Sequence, residues 1–297
     1  MSIEIRLVDD LEAIEHFRVL EHLVWGEPLE STIPVHVLVT TIHNGGGILG
    51  AYADDGPEET GGMVGLTYWW PGLDTPRTTP EGQAAEQTGW QAKPPALQLK
   101  MCSHMAGVLP PWRGTRLGLR LKLQQRAVIL AQGMTDWVTW TFDPLICTNA
   151  AFNLHRLGAV CSTYHVNLYG ELPDELNAGV PSDRCQVDWW LDSTRVIERA
   201  SEGWRAEARW PAHAQVLSAQ EQNSLQLPPE ALPQLDGAPL ALPLPDDIYA
   251  IRSNDSGAGM AWRQWMRAAL EGAFGKGYVI VDCARHEDGQ WRYLLVA

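Results

Sequence analysis

The chain has 297 residues, a net charge of −14 at pH 7 and 45% hydrophobic residues, which is enough for one large or two ordinary globular domains. The acidic balance argues against general nucleic-acid binding, which needs a broad basic surface. No apolar run is long enough to span a bilayer, and the first residues lack a signal-peptide pattern. The five cysteines are widely spaced. We therefore expect a cytoplasmic protein with reduced thiols and no metal site.

Hydrophobic periodicity predicts alternating strands and helices over the first 195 residues. In chain order we expect a strand at 3–7, helices at 11–25 and 34–43, strands at 47–53, 63–70 and 97–108, a helix at 117–132, a strand at 137–142, a short helix at 149–157, and strands at 159–168 and 186–191. Residues 71–95 show no periodicity and are interpreted as a long loop. The pattern predicts an α/β fold in layers.

The character of the sequence changes after about residue 195. Residues 211–245 are rich in proline and lack a clear period, which is typical of a connecting segment. The tail is regular again, with a helix that carries Trp262, Met266 and Leu270 on one face and then two strands. We therefore predict a main domain at 1–195, a connecting segment at 196–245 and a small C-terminal α/β unit at 246–297.

The most informative stretch is residues 108–120, Val-Leu-Pro-Pro-Trp-Arg-Gly-Thr-Arg-Leu-Gly-Leu-Arg. It joins a predicted strand to a long helix, and residues 113–126 include several basic side chains but no acidic one. Basic side chains at a helix start oppose the helix dipole. An anion bound to the free backbone N–H groups of the first turn would explain the arrangement. We interpret the stretch as a phosphate-binding loop, with a solvated basic turn as the alternative.

The loop and a second block resemble the GNAT acyltransferase superfamily. The superfamily motif Arg/Gln-x-x-Gly-x-Gly/Ala corresponds to Arg113–Gly118, and an Asn followed by a short helix ending in Leu-Tyr-x-x-x-Gly-Phe corresponds to Asn149–Ala159. The resemblance spans roughly residues 3–192 and points to a subgroup of large GNAT proteins, some of them linked with N-acylamino-acid metabolism. It implies a mixed, mostly antiparallel central sheet flanked by helices, with acetyl-CoA or another acyl-coenzyme A as co-substrate.

The resemblance also implies residue roles in binding coenzyme A. The residues assigned to it are Gly107, Val108, Arg113, Gly114, Thr115, Arg116, Leu117, Gly118, Leu119, Asn149 and Phe152. The backbone of Gly107 or Val108 would donate to the oxyanion, and Asn149 also fits an ordinary helix N-cap. Two positions depart from the superfamily pattern. Arg116 replaces a glycine, and His155 replaces the tyrosine that protonates the leaving thiolate.

A direct attack by an amine needs a general base. His104 is the first candidate, because it lies four residues before Val108 on the predicted strand face of Cys102, Ala106 and Val108. A structural histidine is the competing interpretation. Asp143 is the second candidate, although an aspartate before a proline is often a turn residue. His155 is a candidate for protonating the thiolate, a role that water can also fill.

We therefore expect an N-acyltransferase that moves an acetyl or other short acyl group, succinyl included, from coenzyme A to a primary amine of a small molecule such as an amino acid. A non-catalytic coenzyme A sensor is the alternative, and a tryptophan-rich interaction scaffold is a third reading. Trp69 and Trp70 fit either an acceptor pocket or core packing. The sequence predicts neither a nucleic-acid nor a membrane partner and leaves a homodimer open.

Overall fold

The computed structural model describes residues 2–26, 28–83, 97–170, 180–205 and 207–297. The chain forms two compact units, one of residues 1–74 with 97–139 and one of residues 75–96 with 140–297. The boundaries at 195 and 245 stay a prediction, because these units separate the chain at other positions. No helix in the described part of the chain is both long and apolar enough to cross a membrane.

The first unit is a sheet flanked by helices. Its strands are β1 (Ile3–Leu7), β2 (Gly47–Ala53), β3 (Met63–Asp74), β4 (Gln98–Val108) and the start of β5 (Trp137–Phe142), and its helices are α1 (Leu11–Trp25), α2 (Val35–His43) and α3 (Leu117–Gln132). The strands follow the order β1-β2-β3-β4-β5. The first three pairs are antiparallel, and β4 and β5 are parallel. The predicted mixed, mostly antiparallel sheet is confirmed in this unit.

Helices α1 and α3 cover opposite faces of this sheet. A Cβ placed on Gly107 would meet Val24 and Trp25 of α1. The neighbouring Val108 pairs with Gly65, where a Cβ would face Leu117 and Leu121 of α3. Successive strand residues point to opposite faces, so β4 presents one side to each helix.

The second unit contains the remaining elements. After the end of β5 these are α4 (Cys147–Ala150), a π-helical turn (Ala151–Arg156), β6 (Val160–His165), β7 (Arg184–Trp190), α5 (Thr194–Ala200), β8 (Gln215–Val216), β9 (Gln220–Gln222), β10 (Leu225–Leu227), β11 (Leu240–Pro243), α6 (Ile248–Asn254), α7 (Ser256–Phe274), β12 (Val279–Arg285) and β13 (Trp291–Val296). Strands run in the order β7-β6-β12-β13-β11-β8. Only the β11–β8 pair among these is parallel. Strands β9 and β10 form a separate hairpin.

The predicted tail and the predicted connecting segment have different outcomes. Helix α7 buries Trp262, Met266 and Leu270 as predicted, and the two predicted strands after it pair as β12 and β13. The proline-rich segment, however, contains β8 to β11, and β11 is fully buried against β13. The prediction of a plain connector was wrong there, because Leu240–Pro243 is an apolar run that a sheet can bury. The predicted 71–95 loop is shortened by β3, which continues to Asp74, and most of its remainder lies outside the described residues.

Candidate functional site

The segment between β4 and α3 is a sharply turned loop. A short 3₁₀ turn covers Pro110–Trp112, and the Thr115 hydroxyl donates to the Trp112 carbonyl at 2.6 Å. The Arg113 side chain folds back and donates to the Val108 carbonyl at 2.9 Å. Gly114 has φ +77°, a conformation that glycine adopts without strain. These contacts fix the loop from within the chain.

The loop exposes a row of backbone donors. Among the described residues, the N–H groups of residues 114–119 have no protein acceptor, and the first amide of this region that bonds back is Arg120, to the Arg116 carbonyl at 3.1 Å. A Cβ on Gly114 or Gly118 would meet nothing within 4 Å. Free N–H groups, open space and the positive end of a 16-residue helix are the features that favour binding of an anion at a helix start.

Arg116 occupies the strained position of this loop. It immediately precedes α3, with φ +65° and no side-chain capping bond. The left-handed region costs a non-glycine residue about 1–2 kcal/mol. Its side chain is exposed and therefore adds positive charge beside the free amides without blocking them.

The pairing between β4 and β5 ends at Cys102, two residues before His104, the predicted base. The two strands pair only at Met101 and Cys102 in the described part of the chain. The register with β3 then shifts. Tyr68 pairs with Met105, whereas the following residue of β3, Trp69, pairs with Ser103, so that His104 has no partner in β3. His104 is thus the extra residue of a β-bulge. Beyond it, the described residues pair β4 with β3 alone, so that the other backbone edge of β4 has no strand partner among them.

The hydrogen-bond pattern decides which amide faces this edge. Leu109 N–H donates to the Val64 carbonyl at 3.0 Å. Antiparallel pairs alternate, so the N–H of Gly107 points toward β3 and the N–H of Val108 points away from it. Of the two predicted oxyanion donors, Val108 therefore has the available amide.

The bulge also changes the face on which His104 lies. Ala106 and Val108 turn toward α3, whereas the His104 ring contacts Tyr68 and Trp70, with centroid distances of 6.1 and 4.8 Å. The expectation that His104 shares a face with Ala106 and Val108 was wrong, because an extra residue breaks the alternation. Burial lowers the pKa of His104, although the residue as a whole is exposed to solvent. Hydrogen-bond partners are absent for this imidazole among the described residues.

Asp143 is the centre of a buried ion-pair cluster in the second unit. Arg263 binds it through two hydrogen bonds of 2.9 and 2.6 Å. Arg184 and Arg252 approach the same carboxylate at 4.0 and 3.8 Å, and its Oδ1 accepts the Leu145 N–H at 2.9 Å. These contacts fit the turn interpretation and leave Asp143 a poor candidate base, since its oxygens are already bound to cations.

The second block starts earlier than its sequence suggested. Asn149 lies inside α4, whose N-cap is Ile146. The prediction of Asn149 as an N-cap was wrong, because the helix begins two residues before it. Asn149 is exposed and Phe152 is half-buried on the following π-helical turn. Both belong to the second unit, and their assignment to coenzyme A stays a prediction.

His155 has a partner that no local sequence pattern indicates. Its Nδ1 lies 2.9 Å from Oδ1 of Asp282, 127 residues further on. Burial by itself would raise the pKa of the Asp282 carboxyl, but the His155 hydrogen bond and the charge of Arg199 outweigh it and hold that pKa below its ordinary value. The pair fixes the orientation of the imidazole.

A buried polar cluster behind β4 was also missed. Lys122 of α3 is 3% exposed and donates to Ser103 Oγ at 3.0 Å and to Gln125 Oε1 at 2.8 Å. Burial lowers the pKa of Lys122 to about 7. Because Ser103 immediately precedes the bulge, this cluster ties the strand to α3 at that point. The sequence of α3, an apolar helix face that includes one lysine, does not indicate such a cluster.

Comparisons with known proteins add a likeness of fold. No protein-family model matches the chain, and no curated protein matches it. Three similar solved structures are a protein of Desulfovibrio desulfuricans described as a GNAT-family acetyltransferase (15% identity, 64% of this chain and 99% of that chain, TM-score 0.43), an IAA acetyltransferase of Bacillus cereus (13%, 63% and 98%, 0.41) and NAA60 of Arabidopsis thaliana in complex with acetyl-CoA (10%, 64% and 99%, 0.45).

Arg116→Gly is expected to stabilise the protein by about 0.5–1 kcal/mol, because it relieves a left-handed conformation while adding chain entropy to the unfolded state. Arg116→Ala removes the same charge but keeps the strain, so its free energy of unfolding should not rise. Denaturant titration of both variants measures this. A Gly variant no more stable than the Ala variant would contradict the assignment of strain.

Arg263→Met is expected to lower the free energy of unfolding by about 3 kcal/mol or more, because it leaves the buried Asp143 carboxylate without its two-bond partner. Arg285→Ala is the matched control. It breaks an exposed pair with Asp246 and should cost less than about 1 kcal/mol. Similar losses in the two variants would contradict a structural role for the Asp143 cluster.

Proposed function

We propose that this chain is an acyl-coenzyme A-dependent N-acyltransferase that transfers a short acyl group to a primary amine of a small molecule. The observation that carries the proposal lies within the first unit. There the free amides of residues 114–119 begin α3, and the strand leading into them has an open edge and an exposed histidine. An anion site, an edge and a base are the three parts that such a transfer requires.

The free amides, the open space and the basic side chains of the loop support the diphosphate of coenzyme A as its ligand. The amides of residues 114–119 would hold the phosphate oxygens, and the absence of side chains at Gly114 and Gly118 leaves room for them. Arg113 and Arg116 add positive charge next to the amides. Coenzyme A, when bound, supplies the activated acyl group as a thioester.

The free edge of β4 suits the amide-bearing arm that separates the diphosphate from the thiol. An extended chain of amides can pair with a strand edge as an additional strand does. Along this edge the Val108 N–H points outward, in the position of an oxyanion donor. A backbone donor on a sheet is held rigidly, so it needs little reorganisation during the reaction.

His104 is proposed as the general base. It lies on the bulge where the edge begins, and its lowered pKa keeps the imidazole neutral at pH 7, which is the form that accepts a proton. The leaving thiolate has an ordinary pKa of about 8.5 and needs no strong acid. Water can protonate it, and the assignment of this role to His155 stays a prediction.

Gly118→Asp tests the anion site. We expect the affinity for coenzyme A to fall about 100-fold, because a carboxylate would compete with the phosphates for the same amides. The free energy of unfolding without ligand should be unchanged or higher, since an acidic residue in the first helical turn is favourable. Gln124→Asp, which adds the same charge at an exposed position of α3 outside its first turn, is the control and should keep its affinity, and calorimetric titration measures both. Unchanged affinity in Gly118→Asp would contradict the site.

His104→Gln tests the base. We expect kcat to fall at least 100-fold with an unchanged Kd for coenzyme A. The base form is the neutral imidazole, so wild-type activity should hold at pH values above the lowered pKa and fall below it, under the ordinary value of about 6.5. That acidic limb should vanish in the variant. Binding of coenzyme A without turnover of any amine would favour the non-catalytic sensor.

A further inference from the structure

Three side chains of the first unit form a polar cluster that is closed to solvent. Ser103, Lys122 and Gln125 are 5%, 3% and 0% exposed. The Lys122 amine donates to Ser103 Oγ at 3.0 Å and to Gln125 Oε1 at 2.8 Å, and Gln125 Nε2 donates to Ser103 Oγ at 3.1 Å. Taking an acceptor away from a buried amine costs free energy. The cluster therefore opposes any change that removes the serine hydroxyl from this face of β4.

The face on which Ser103 lies depends on the place of the extra residue in β4. Successive strand residues alternate between the two faces, and a bulge reverses the alternation from that point on. If the extra residue lay nearer the start of β4, His104 would share the α3 face with Ala106 and Val108, and Ser103 would face α1. With the bulge at His104, Ser103 faces Lys122 and the imidazole lies on the opposite side of the sheet.

A second side chain holds the other side of the bulge. The Thr67 hydroxyl of β3 donates to the Met105 carbonyl at 3.1 Å, and Thr67 is fully buried. His104 thus lies between two residues of β4 that are each held by a buried side chain, one from α3 and one from β3. An extra residue can move along a strand while most ladder bonds are kept, so backbone pairing specifies its place weakly. Side chains supply the missing specification.

The two faces differ in what they offer to a histidine. On the α3 face, Ser103 and Lys122 lie buried beneath the helix. On the α1 face, His104 is exposed to solvent beside Trp70, with a centroid distance of 4.8 Å. Trp69, the partner of Ser103 in β3, is fully buried, which fits core packing and not a pocket. A histidine turned toward α3 would be enclosed next to an amine instead of open to a substrate.

We infer that Ser103 and Lys122 are positioning residues: their hydrogen bond keeps the bulge of β4 at His104 and thereby keeps the imidazole on the open face of the sheet. Both act through the strand and not on the substrate. The catalytic part of the inference rests on the proposed function, because it takes His104 as the group that accepts the proton of the amine.

Ser103→Val tests the positioning. Valine suits a strand but removes the hydroxyl that Lys122 bonds, so more molecules should place His104 on the α3 face. Carbethoxylation of His104 by diethyl pyrocarbonate, read by mass spectrometry of its peptide, measures the exposed fraction and needs no turnover. The labelling rate should fall about tenfold, and kcat for thiol release from acetyl-CoA with glycine or ethylamine should fall in parallel, since both depend on the fraction of competent molecules. The Kd of coenzyme A should not change.

Ser103→Thr and Ile129→Val are the matched controls. Threonine keeps the hydroxyl and should keep the labelling rate and kcat close to those of the wild type. Ile129→Val trims a buried residue of α3 outside the cluster, so it should lower the free energy of unfolding without changing either rate. Equal losses of labelling in Ile129→Val and Ser103→Val would overturn the inference, because general destabilisation would then account for them.

Lys122→Met keeps the test available if Ser103→Val does not fold, because it removes the buried amine and leaves no charge behind. Gln125 still donates to Ser103 in this variant, so the labelling rate should fall by a smaller factor than in Ser103→Val. An unchanged labelling rate in Lys122→Met would overturn the inference.

Labelling separates this inference from the proposed function. Slower labelling of His104 in Ser103→Val would support the positioning even if the wild type acylates no amine, in which case only the proposed function fails. Wild-type turnover combined with unchanged labelling and unchanged kcat in Ser103→Val would overturn the inference and leave the proposed function standing.

Discussion

Backbone amides without acceptors at the start of α3 are the feature on which this account depends. Leaving donors unbonded is costly wherever water cannot reach them, and a helix start concentrates them on one point with the positive end of the dipole. This chain adds two glycines that leave space, and arginines that would otherwise be badly placed. The strain at Arg116 belongs to the same arrangement, since a left-handed residue turns the chain into the helix while its amide stays available.

The bulge at His104 lies on the strand that leads into these amides, within the same unit. An extra residue in β4 moves the histidine to the α1 face and coincides with the end of β4–β5 pairing. In the described part of the chain, one irregularity therefore accompanies both a strand edge without a strand partner and an exposed histidine, the proposed base. The buried Lys122–Ser103–Gln125 cluster lies immediately behind it. A buried amine held by two neutral oxygens ties the strand to α3, the helix that carries the amides.

Local sequence patterns predicted most elements because the periods are clear. Helices 11–25 and 117–132 have the bounds that their apolar spacing indicated, and a loop joins β4 to α3 where the prolines and glycines predicted one. What could not be predicted depends on pairing between distant residues. The bulge at His104 needs the register with β3, the His155–Asp282 pair joins residues 127 apart, and Asp143 meets Arg263 only after α7 has packed. The π-helical turn after α4 likewise has no local sequence signature, and β11 was not predicted because it lies in a proline-rich segment.

Amide hydrogen exchange, measured residue by residue with and without coenzyme A, reports directly on whether the N–H groups of residues 114–119 bind the ligand. The account predicts that exchange slows at least tenfold at residues 114–119 when coenzyme A is present, since those N–H groups gain acceptors, while the interior of α3 changes little. Unchanged exchange at these residues, or protection confined to another part of the chain, would contradict the account.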